Sequence, residues 1–259
     1  MPTLPAAFLG HGNPMNTLEH NRFTAAWTEL GQTMERPRAI LAISAHWYVN
    51  ISAVTAMAHP RTIHDFYGFP DELFAFEYPA PGDPALAQRV VDLAGAADLY
   101  VGLDTDSWGL DHGTWSVLAH VFPDAAIPVV QLSVDGTKSI PEHLNLAASL
   151  APLRDEGVFI VASGNSVHNL GMIEWGAGGR GADWAEDFDR ATTELMTASP
   201  GDIGSLTSHP AWQRAVPTPD HFLPLVYLAG LCDEAGTTSR TLVDGCDLGS
   251  LSMTSYVTV

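Results

Sequence analysis

Four histidines in this sequence occur where a loop follows a predicted β-strand, at positions suited to binding a ligand. They are His11, His46, His112 and His168. Neutral imidazole binds Fe²⁺, Zn²⁺, Cu²⁺ and Ni²⁺ well, whereas Mg²⁺ and Ca²⁺ prefer oxygen ligands. Three histidines can hold one such ion and leave positions open, and further histidines nearby can transfer protons near neutral pH. The residue types therefore predict a non-haem metal site with proton-transferring histidines.

The glycines around these histidines strengthen the prediction. A single histidine in a loop is most often a hydrogen-bonded structural residue. Here, however, Gly10 and Gly12 flank His11, and glycines also bracket His112. Glycine lets a backbone turn sharply or approach a ligand closely. Together, four loops that each place a histidine at the same edge of one sheet favour one shared functional site over four separate structural histidines.

Two further histidines are candidates on weaker grounds. His221 opens a strongly apolar predicted helix, so its side chain can point past the helix end towards the same site. It can equally be a surface histidine beside Asp220, a residue type common at helix N-caps. His64 lies in the aromatic loop 63–70, which can line a pocket for a flat substrate or pack as an ordinary surface loop. The residues alone leave these alternatives open.

Short apolar runs alternate with amphipathic stretches along the chain, a pattern typical of α/β proteins. Strands are predicted over residues 6–9, 39–45, 99–103, 128–134, 158–162 and 251–259. Helices are predicted over residues 21–34, 84–94, 114–122, 144–154, 184–196 and 222–234. Apolar strands separated by helices indicate one domain with a mostly parallel central sheet and helices on both faces. Ligands of such sheets bind beyond the carboxyl ends of the strands, where the four loop histidines are expected.

The composition disfavours several functional classes. Thirty acidic residues against eleven basic ones give a formal charge of −19, which repels nucleic acids and anionic lipids. No apolar run approaches the roughly 20 residues that span a bilayer, and no basic, apolar leader opens the chain. The two cysteines form neither a disulfide framework nor a zinc motif. We therefore expect a cytoplasmic protein that binds neither nucleic acid nor membrane, while its oligomeric state stays open.

Motifs of other enzyme classes are missing or incomplete. The chain has no Gly-x-Ser-x-Gly nucleophile motif, no phosphate-binding Gly-x-x-x-x-Gly-Lys and no His-Glu-x-x-His helix. Residues 176–181 match Gly-x-Gly-x-x-Gly, but they follow no clear strand and lack the acidic residue of a dinucleotide site. The single lysine, Lys138, lies in a turn-like stretch and is a poor candidate for Schiff-base chemistry. We expect no organic cofactor.

Six segments in a fixed order bring the candidate residues together. They are Phe8-Leu9-Gly10-His11-Gly12-Asn13-Pro14-Met15, Ser44-Ala45-His46-Trp47, Asp65-Phe66-Tyr67-Gly68-Phe69-Pro70, Gly109-Leu110-Asp111-His112-Gly113-Thr114-Trp115, Ser163-Gly164-Asn165-Ser166-Val167-His168-Asn169 and Thr218-Pro219-Asp220-His221-Phe222-Leu223-Pro224. As a set they resemble the class III extradiol ring-cleavage dioxygenases of the LigB-like superfamily, and most closely the 4,5-DOPA dioxygenase branch. The resemblance implies one LigB-like catalytic domain over residues 1–259.

The resemblance also implies a role for each of five histidines. His11, His46 and His221 would bind one metal ion, which is normally Fe(II), with Zn²⁺ as the alternative in purified protein. His168 would be the acid/base histidine near the metal, and it is also a candidate for a fourth ligand. His112 would contact the substrate or dioxygen.

The implied reaction opens the ring of a catechol, DOPA-like or another aromatic diol, with O₂ and gives a product of the muconate-semialdehyde type. Asp220 is an alternative third ligand, because better-known members of the superfamily use two histidines and a glutamate. Two other functions stay open: a zinc-dependent hydrolase at the same histidines, and a non-catalytic binding protein with this fold. All readings that involve a metal require His11, His46 and His221 to converge.

Overall fold

The strands form one central sheet and one short antiparallel pair in a computed structural model that describes residues 2–177 and 179–259. The strands are β1 (Ala6–Gly10), β2 (Ala39–Val49), β3 (Ala53–Thr55), β4 (Gly102–Asp104), β5 (Val129–Asp135), β6 (Val158–Gly164), β7 (Ser239–Val243), β8 (Cys246–Asp247), β9 (Leu251–Ser252) and β10 (Ser255–Thr258). The central sheet follows the order β4-β3-β5-β2-β6-β1-β10-β7, and β8 pairs with β9.

Four parallel neighbours form the middle of this sheet. Strands β5, β2, β6 and β1 run in the same direction, and nearly all of their residues are buried. Parallel strands that are covered on both faces read as continuous apolar runs, which is why the sequence pattern is informative here. The prediction of a single α/β domain with a mostly parallel sheet is confirmed.

Helices cover both faces of the sheet. They are α1 (Arg22–Thr33), α2 (Asp71–Phe74), α3 (Pro84–Ala96), α4 (His112–Val121), α5 (Ile140–Ser149), α6 (Pro152–Asp155), α7 (Asp183–Ala198), α8 (Trp212–Ala215) and α9 (Leu223–Glu234), with 3₁₀ turns at Pro14–Thr17, Leu170–Met172 and Pro200–Ser208. Successive strand residues point to opposite faces. Phe8 accordingly packs into a core with α5, α7 and α9, whereas Leu9 packs into a second core with α1 and α4.

Two predicted elements are divided in the structure. The prediction of one helix over residues 144–154 is wrong, because α5 ends at Ser149 and α6 begins at Pro152. Proline has no N–H to continue a helix, and it restricts the residue before it. The predicted strand 251–259 is likewise two strands, β9 and β10.

The edge strand β4 runs against the direction expected from the sequence. Strand β3 is antiparallel to β5, and β4 is parallel to β3, so β4 runs opposite to the four central strands. The prediction that His112 follows the carboxyl end of a strand at the site edge is therefore wrong. His112 is instead the first residue of α4, which the chain reaches after residues 105–111. The sequence pattern gives the wrong direction for β4 because the three-residue strand β3, which reverses the chain, leaves no recognisable signal in it.

Three other expectations concern features outside the sheet. Across residues 2–177 and 179–259, no helix combines the length and the apolar character that crossing a membrane requires. Cys232 and Cys246 are both buried free thiols. The Gly-x-Gly-x-x-Gly match at 176–181 includes residue 178, which lies outside the described residues, so the expectation that it is no dinucleotide site stays a prediction.

Candidate metal centre

Three histidines from distant parts of the chain meet at the carboxyl ends of the central strands. One ring nitrogen from each of His11, His46 and His221 lies within 4.8 Å of the other two. His11 directly follows β1, His46 lies near the end of β2, and His221 lies just before α9. The structure thus brings together the residues that the resemblance implies as ligands. Their assignment as ligands remains a prediction.

Close backbone approaches place His11 and His221. A Cβ on Gly10 would lie 2.7 Å from the backbone of Met253, and Gly12 adopts a φ of 57°, which disfavours other residues. A Cβ on Gly164 would lie 2.2 Å from the carbonyl oxygen of His221. The loops that carry these two histidines therefore pack at distances that only glycine permits.

An irregular stretch of β2 carries His46. Strands β2 and β5 pair regularly up to Ile43 and Leu132, and their pairing resumes at Tyr48 and Val134. Four residues of β2 thus lie opposite one residue of β5, so this stretch leaves the regular ladder. Such bulges are common beside active sites, where they change the direction of a side chain. The irregularity is a local reason why His46 can turn towards the other histidines.

The hydrogen bonds of His11 define which of its ring nitrogens is free. The Ser163 hydroxyl donates its single proton to the carbonyl oxygen of Gly113, at 2.5 Å. The same hydroxyl oxygen lies 2.8 Å from Nδ1 of His11, so it can only accept a proton there. His11 is therefore protonated at Nδ1, and its Nε2 keeps a lone pair.

Carboxylates orient the other two imidazoles in the same way. Nδ1 of His46 lies 2.9 Å from Oδ2 of Asp65, and Nδ1 of His221 donates to Asp220. Burial acts to raise the pKa of both carboxyl groups, but the hydrogen bonds from histidines outweigh it and lower both values. An ionised carboxylate only accepts, so both imidazoles donate from Nδ1 and keep Nε2 for another partner. Asp220 thus lies behind His221 as its hydrogen-bond acceptor.

The Nε2 atoms of His11 and His46 face each other, and a ring nitrogen of His221 lies within 4.8 Å of the ligand atoms of both. Nε2 of His11 lies 3.2 Å from Nε2 of His46. The buried Nε2 of His221 has no hydrogen-bond partner in the described part of the chain. Facing lone pairs at such distances require a shared cation or an added proton. A divalent transition ion binds three imidazole nitrogens and leaves positions for other ligands, so this donor set fits a metal of that class.

Burial favours the neutral form of two of these imidazoles. It is the main cause that lowers the pKa of His11 well below its usual value and that of His221 to about 4, and neighbouring histidines add to it. Burial also acts to lower the pKa of His46, but the hydrogen bond to Asp65 and nearby carboxylates outweigh it, so this pKa is raised. In the absence of a metal, His46 is therefore the ring that most readily shares a proton with His11. A bound cation would have to compete with that proton.

Asp65 is a site residue that the sequence reasoning does not identify. Its Oδ1 accepts from the backbone N–H and from Nδ1 of His112, at 3.0 and 2.9 Å, while Oδ2 accepts from His46. The sequence favours the neighbouring His64 instead, but Nε2 of His64 lies 2.8 Å from the carbonyl oxygen of Phe76 and has a structural role. The positions of the histidines in the sequence do not identify Asp65. The general signal is that metal-binding histidines usually have carboxylate or carbonyl partners.

His112 and His168 lie at the sides of the three-histidine group. The ring centroid of His112 is 3.8 Å from that of His46. The ring of His168 stacks on that of His221, with 3.5 Å between the centroids. Burial is the largest cause that lowers the pKa of both side chains, to about 2 for His168. All five histidines singled out by the resemblance therefore form one cluster, which we call the histidine cluster.

Comparison with known proteins finds similar chains of nearly the same length. Residues 8–252 match the family described as the catalytic LigB subunit of aromatic ring-opening dioxygenase. The 4,5-DOPA dioxygenase extradiol of Escherichia coli K12 is 46% identical over 257 residues, which cover 97% of this chain and 93% of that protein. The Beta vulgaris protein of the same name is 38% identical and covers 96% of this chain and 94% of that one. A crystal structure of uncharacterized protein JW3007 from Escherichia coli K12 is similar with a TM-score of 0.85 and 42% identity, covering 98% of this chain and 99% of that one.

Proposed function

The chain belongs to the LigB family and is an aromatic ring-cleaving dioxygenase of the extradiol type, and from this premise we propose that it is an Fe(II) enzyme acting on a catechol. The proposed reaction uses O₂ to open the ring next to the diol, giving a product of the muconate-semialdehyde type. Relatives named 4,5-DOPA dioxygenase extradiol make a DOPA-like catechol the first candidate substrate. The dioxygenase relatives do not favour the hydrolase or the non-catalytic alternative.

Three ring nitrogens that lie close together support this proposal most strongly. We assign His11, His46 and His221 as the metal ligands, because each already donates its Nδ1–H to an oxygen acceptor. This arrangement is typical of metal-binding histidines, whose second nitrogen is held by a neighbouring group. When bound, Fe(II) would supply the Lewis acidity and the redox chemistry that ring opening with dioxygen requires. Zn²⁺ suits the same nitrogens and is the alternative ion in purified protein.

We assign the proton transfer to His168. A neutral imidazole has one unprotonated nitrogen that can accept a proton. Burial lowers the pKa of His168 and makes it a weak base before a substrate binds, so negative charge on a bound diol would have to raise this pKa before the ring takes a proton. Its stacking on His221 holds the ring beside a proposed ligand, so a catechol hydroxyl at the metal would lie within its reach. His168 would take a proton from the substrate and return it as the ring opens.

We assign a contact with the substrate or dioxygen to His112. Its Nδ1 donates to Asp65, so Nε2 is the atom left to meet another molecule. The short distance between the ring centroids of His112 and His46 puts the His112 ring beside a proposed ligand. A neutral Nε2 accepts a hydrogen bond, and a protonated one stabilises negative charge.

We also propose a cytoplasmic setting and a role in the catabolism of aromatic compounds. The buried thiols of Cys232 and Cys246 are free, which fits a reducing compartment. Burial raises the pKa of both thiols, to about 12 for Cys232, so neither is a reactive nucleophile.

The proposed catabolic role follows from the reaction, because ring opening turns a stable aromatic compound into an open chain.

Anaerobic loading with Fe(II), followed by O₂ and a panel of catechols, tests the proposal. We expect a yellow ring-opened product with Fe(II) and none with Zn²⁺. His11→Ala should lose both the metal and the product, whereas His59→Ala, which changes an exposed histidine, should keep both. Ring cleavage by the metal-free protein, or full activity of His11→Ala, would contradict the proposed metal site.

A further inference from the structure

One carboxylate is shared between two rings of the histidine cluster. Oδ2 of Asp65 accepts from Nδ1 of His46 at 2.9 Å. Its Oδ1 accepts twice from His112, from the backbone N–H at 3.0 Å and from Nδ1 at 2.9 Å. The two oxygens therefore accept from different residues, and only Oδ1 accepts from a backbone N–H.

The loop that carries Asp65 is supported on both sides. The N–H of Ile63 donates to the carbonyl oxygen of Leu110 at 2.7 Å, and Nε1 of Trp115 donates to the carbonyl oxygen of Ile63 at 2.9 Å. On the other side of Asp65, the ring of Phe66 packs edge-on against the ring of His112, with centroids 5.4 Å apart. These contacts hold the carboxylate in place before any ligand binds, as an oriented second partner of a metal ligand requires.

On the basis of the metal site proposed above, we propose that Asp65 is a positioning residue that selects the tautomer of His46. A carboxylate oxygen can only accept, so the proton of neutral His46 must lie on Nδ1. Nε2 of His46 then carries the lone pair that points towards His11 and His221. Without this partner, the neutral ring is free to adopt the other tautomer, in which Nε2 is protonated and cannot bind a metal.

The contacts of His112 make an amide at position 65 a sharp test. In Asp65→Asn, the amide oxygen must face the backbone N–H of His112, because that donor cannot be reversed. The amide NH₂ must then face Nδ1 of His46 and requires an acceptor there. His46 can supply the acceptor only by moving its proton to Nε2, the nitrogen that the metal needs. The substitution therefore prevents Nε2 of His46 from binding a metal, while the contact between residue 65 and His112 stays in place.

Asp65 is also near enough to His46 and His112 for these three groups to hold an ion themselves. Their contacts argue against this alternative, because both Nδ1 atoms lie at hydrogen-bond distance from the carboxylate and donate to it. A metal there would have to displace both protons. Metal analysis distinguishes the two arrangements: we expect one ion per chain, whereas a second ion lost with Asp65 would overturn the proposal.

Metal affinity, measured by competition with a chelator under anaerobic conditions, is the first readout. We expect Asp65→Asn to bind Fe(II) or Zn²⁺ about 10- to 100-fold more weakly than the unchanged chain. The exposed Asp71→Asn is the matched control and should bind as the unchanged chain does. In a His46→Ala background, Asp65→Asn should cause no further loss, because the two changes act on one ligand. Additive losses, or unchanged affinity in Asp65→Asn, would overturn the proposal.

Nitrogen NMR of the metal-free protein gives a second readout, and its measurement on the unchanged chain needs no variant to fold. At about pH 9, well above the usual histidine pKa, neutral His46 should be protonated at Nδ1. In Asp65→Asn the proton should move to Nε2. A neutral His46 whose single proton lies on Nε2 in the unchanged chain would overturn the proposal. If His11→Ala binds metal as well as the unchanged chain does, the proposed metal site fails instead, and the NMR result still shows whether Asp65 selects the tautomer.

Discussion

The imidazole rings of His168 and His221 lie parallel, with 3.5 Å between their centroids and 2° between their planes. The lone pair of an imidazole lies in the plane of the ring. Two stacked rings therefore cannot both direct a lone pair at one ion. One ring can bind the ion while the other lies close to it without binding. With His221 as a proposed ligand, the stacking favours His168 as a proton acceptor beside the metal over a fourth ligand.

His168→Ala tests this distinction directly. We expect kcat to fall by roughly 10²- to 10⁴-fold, the usual contribution of an acid/base group, while the metal stays bound. Metal content and turnover of anaerobically loaded protein measure the two effects separately. If His168→Ala loses its metal together with its activity, His168 is a ligand despite its stacking on His221.

A buried carboxylate supports the segment that carries His168. Asp189 accepts from the hydroxyls of Ser166, Ser252 and Thr254 at 3.0, 2.5 and 2.6 Å, and His168 itself pairs with Leu251. Asp189→Ala would leave three buried hydroxyls without their acceptor.

We expect Asp189→Ala to lower the free energy of unfolding by roughly 3 kcal/mol and also to lower kcat, because the segment around His168 loosens. Chemical denaturation checks the first effect. Asp187→Ala, on the exposed side of the same helix, is the control and should change stability by less than about 1 kcal/mol. Equal losses in both variants would show that Asp189 has no special supporting role.

His143 makes the stability of the fold depend on pH. It is fully buried, with Nδ1 3.1 Å from Oη of Tyr227, and burial lowers its pKa from 6.5 to about 4. As the pH falls between these values, the unfolded chain takes up a proton that the folded chain does not. The free energy of unfolding should therefore decrease on acidification, by at most about 3 kcal/mol from this group.

His143→Asn removes the titrating ring but keeps a side-chain N–H. Urea unfolding at a series of pH values should show a flatter pH dependence for this variant than for the unchanged chain. The difference between the two curves isolates His143 from the other histidines that titrate in the same range. Parallel curves would mean that His143 takes up its proton equally well in the folded chain.

The sequence predicts the middle of the fold well because burial on both faces leaves a continuous apolar signal. Strands β2 and β6 are visible for that reason. Strand β3 is not visible in the sequence, because side chains replace part of its backbone ladder. The Ser133 hydroxyl accepts from the N–H of Ala53, and the Thr55 hydroxyl accepts from the N–H of Gln131. Hydroxyl groups in these roles look like ordinary polar residues in a sequence.

The histidine cluster is likewise only partly predictable. Histidines in loops after predicted strands, two of them flanked by glycines, indicate the site, and the resemblance supplies their proposed roles. Asp65 is different, because its role depends on a contact with His112, 47 residues away. No local pattern reports such a contact. The tautomer of His11 depends in the same way on a chain of hydrogen bonds from Ser163 to Gly113.

Gly113 allows helix α4 to approach β2 beside His46. A Cβ at this position would lie 2.3 Å from Oγ of Ser44 and 2.8 Å from Cδ2 of His46. We expect Gly113→Ala to push the ring of His46 out of place and to weaken metal binding by about tenfold or more. Gly95→Ala in α3 is the matched control, because its Cβ would have no described atom within 4 Å. That change should leave metal binding intact and raise helix stability by up to about 1 kcal/mol. Chelator competition and thermal unfolding of both variants measure these effects, and a Gly113→Ala protein with unchanged metal affinity would show that the position of His46 does not depend on this close approach.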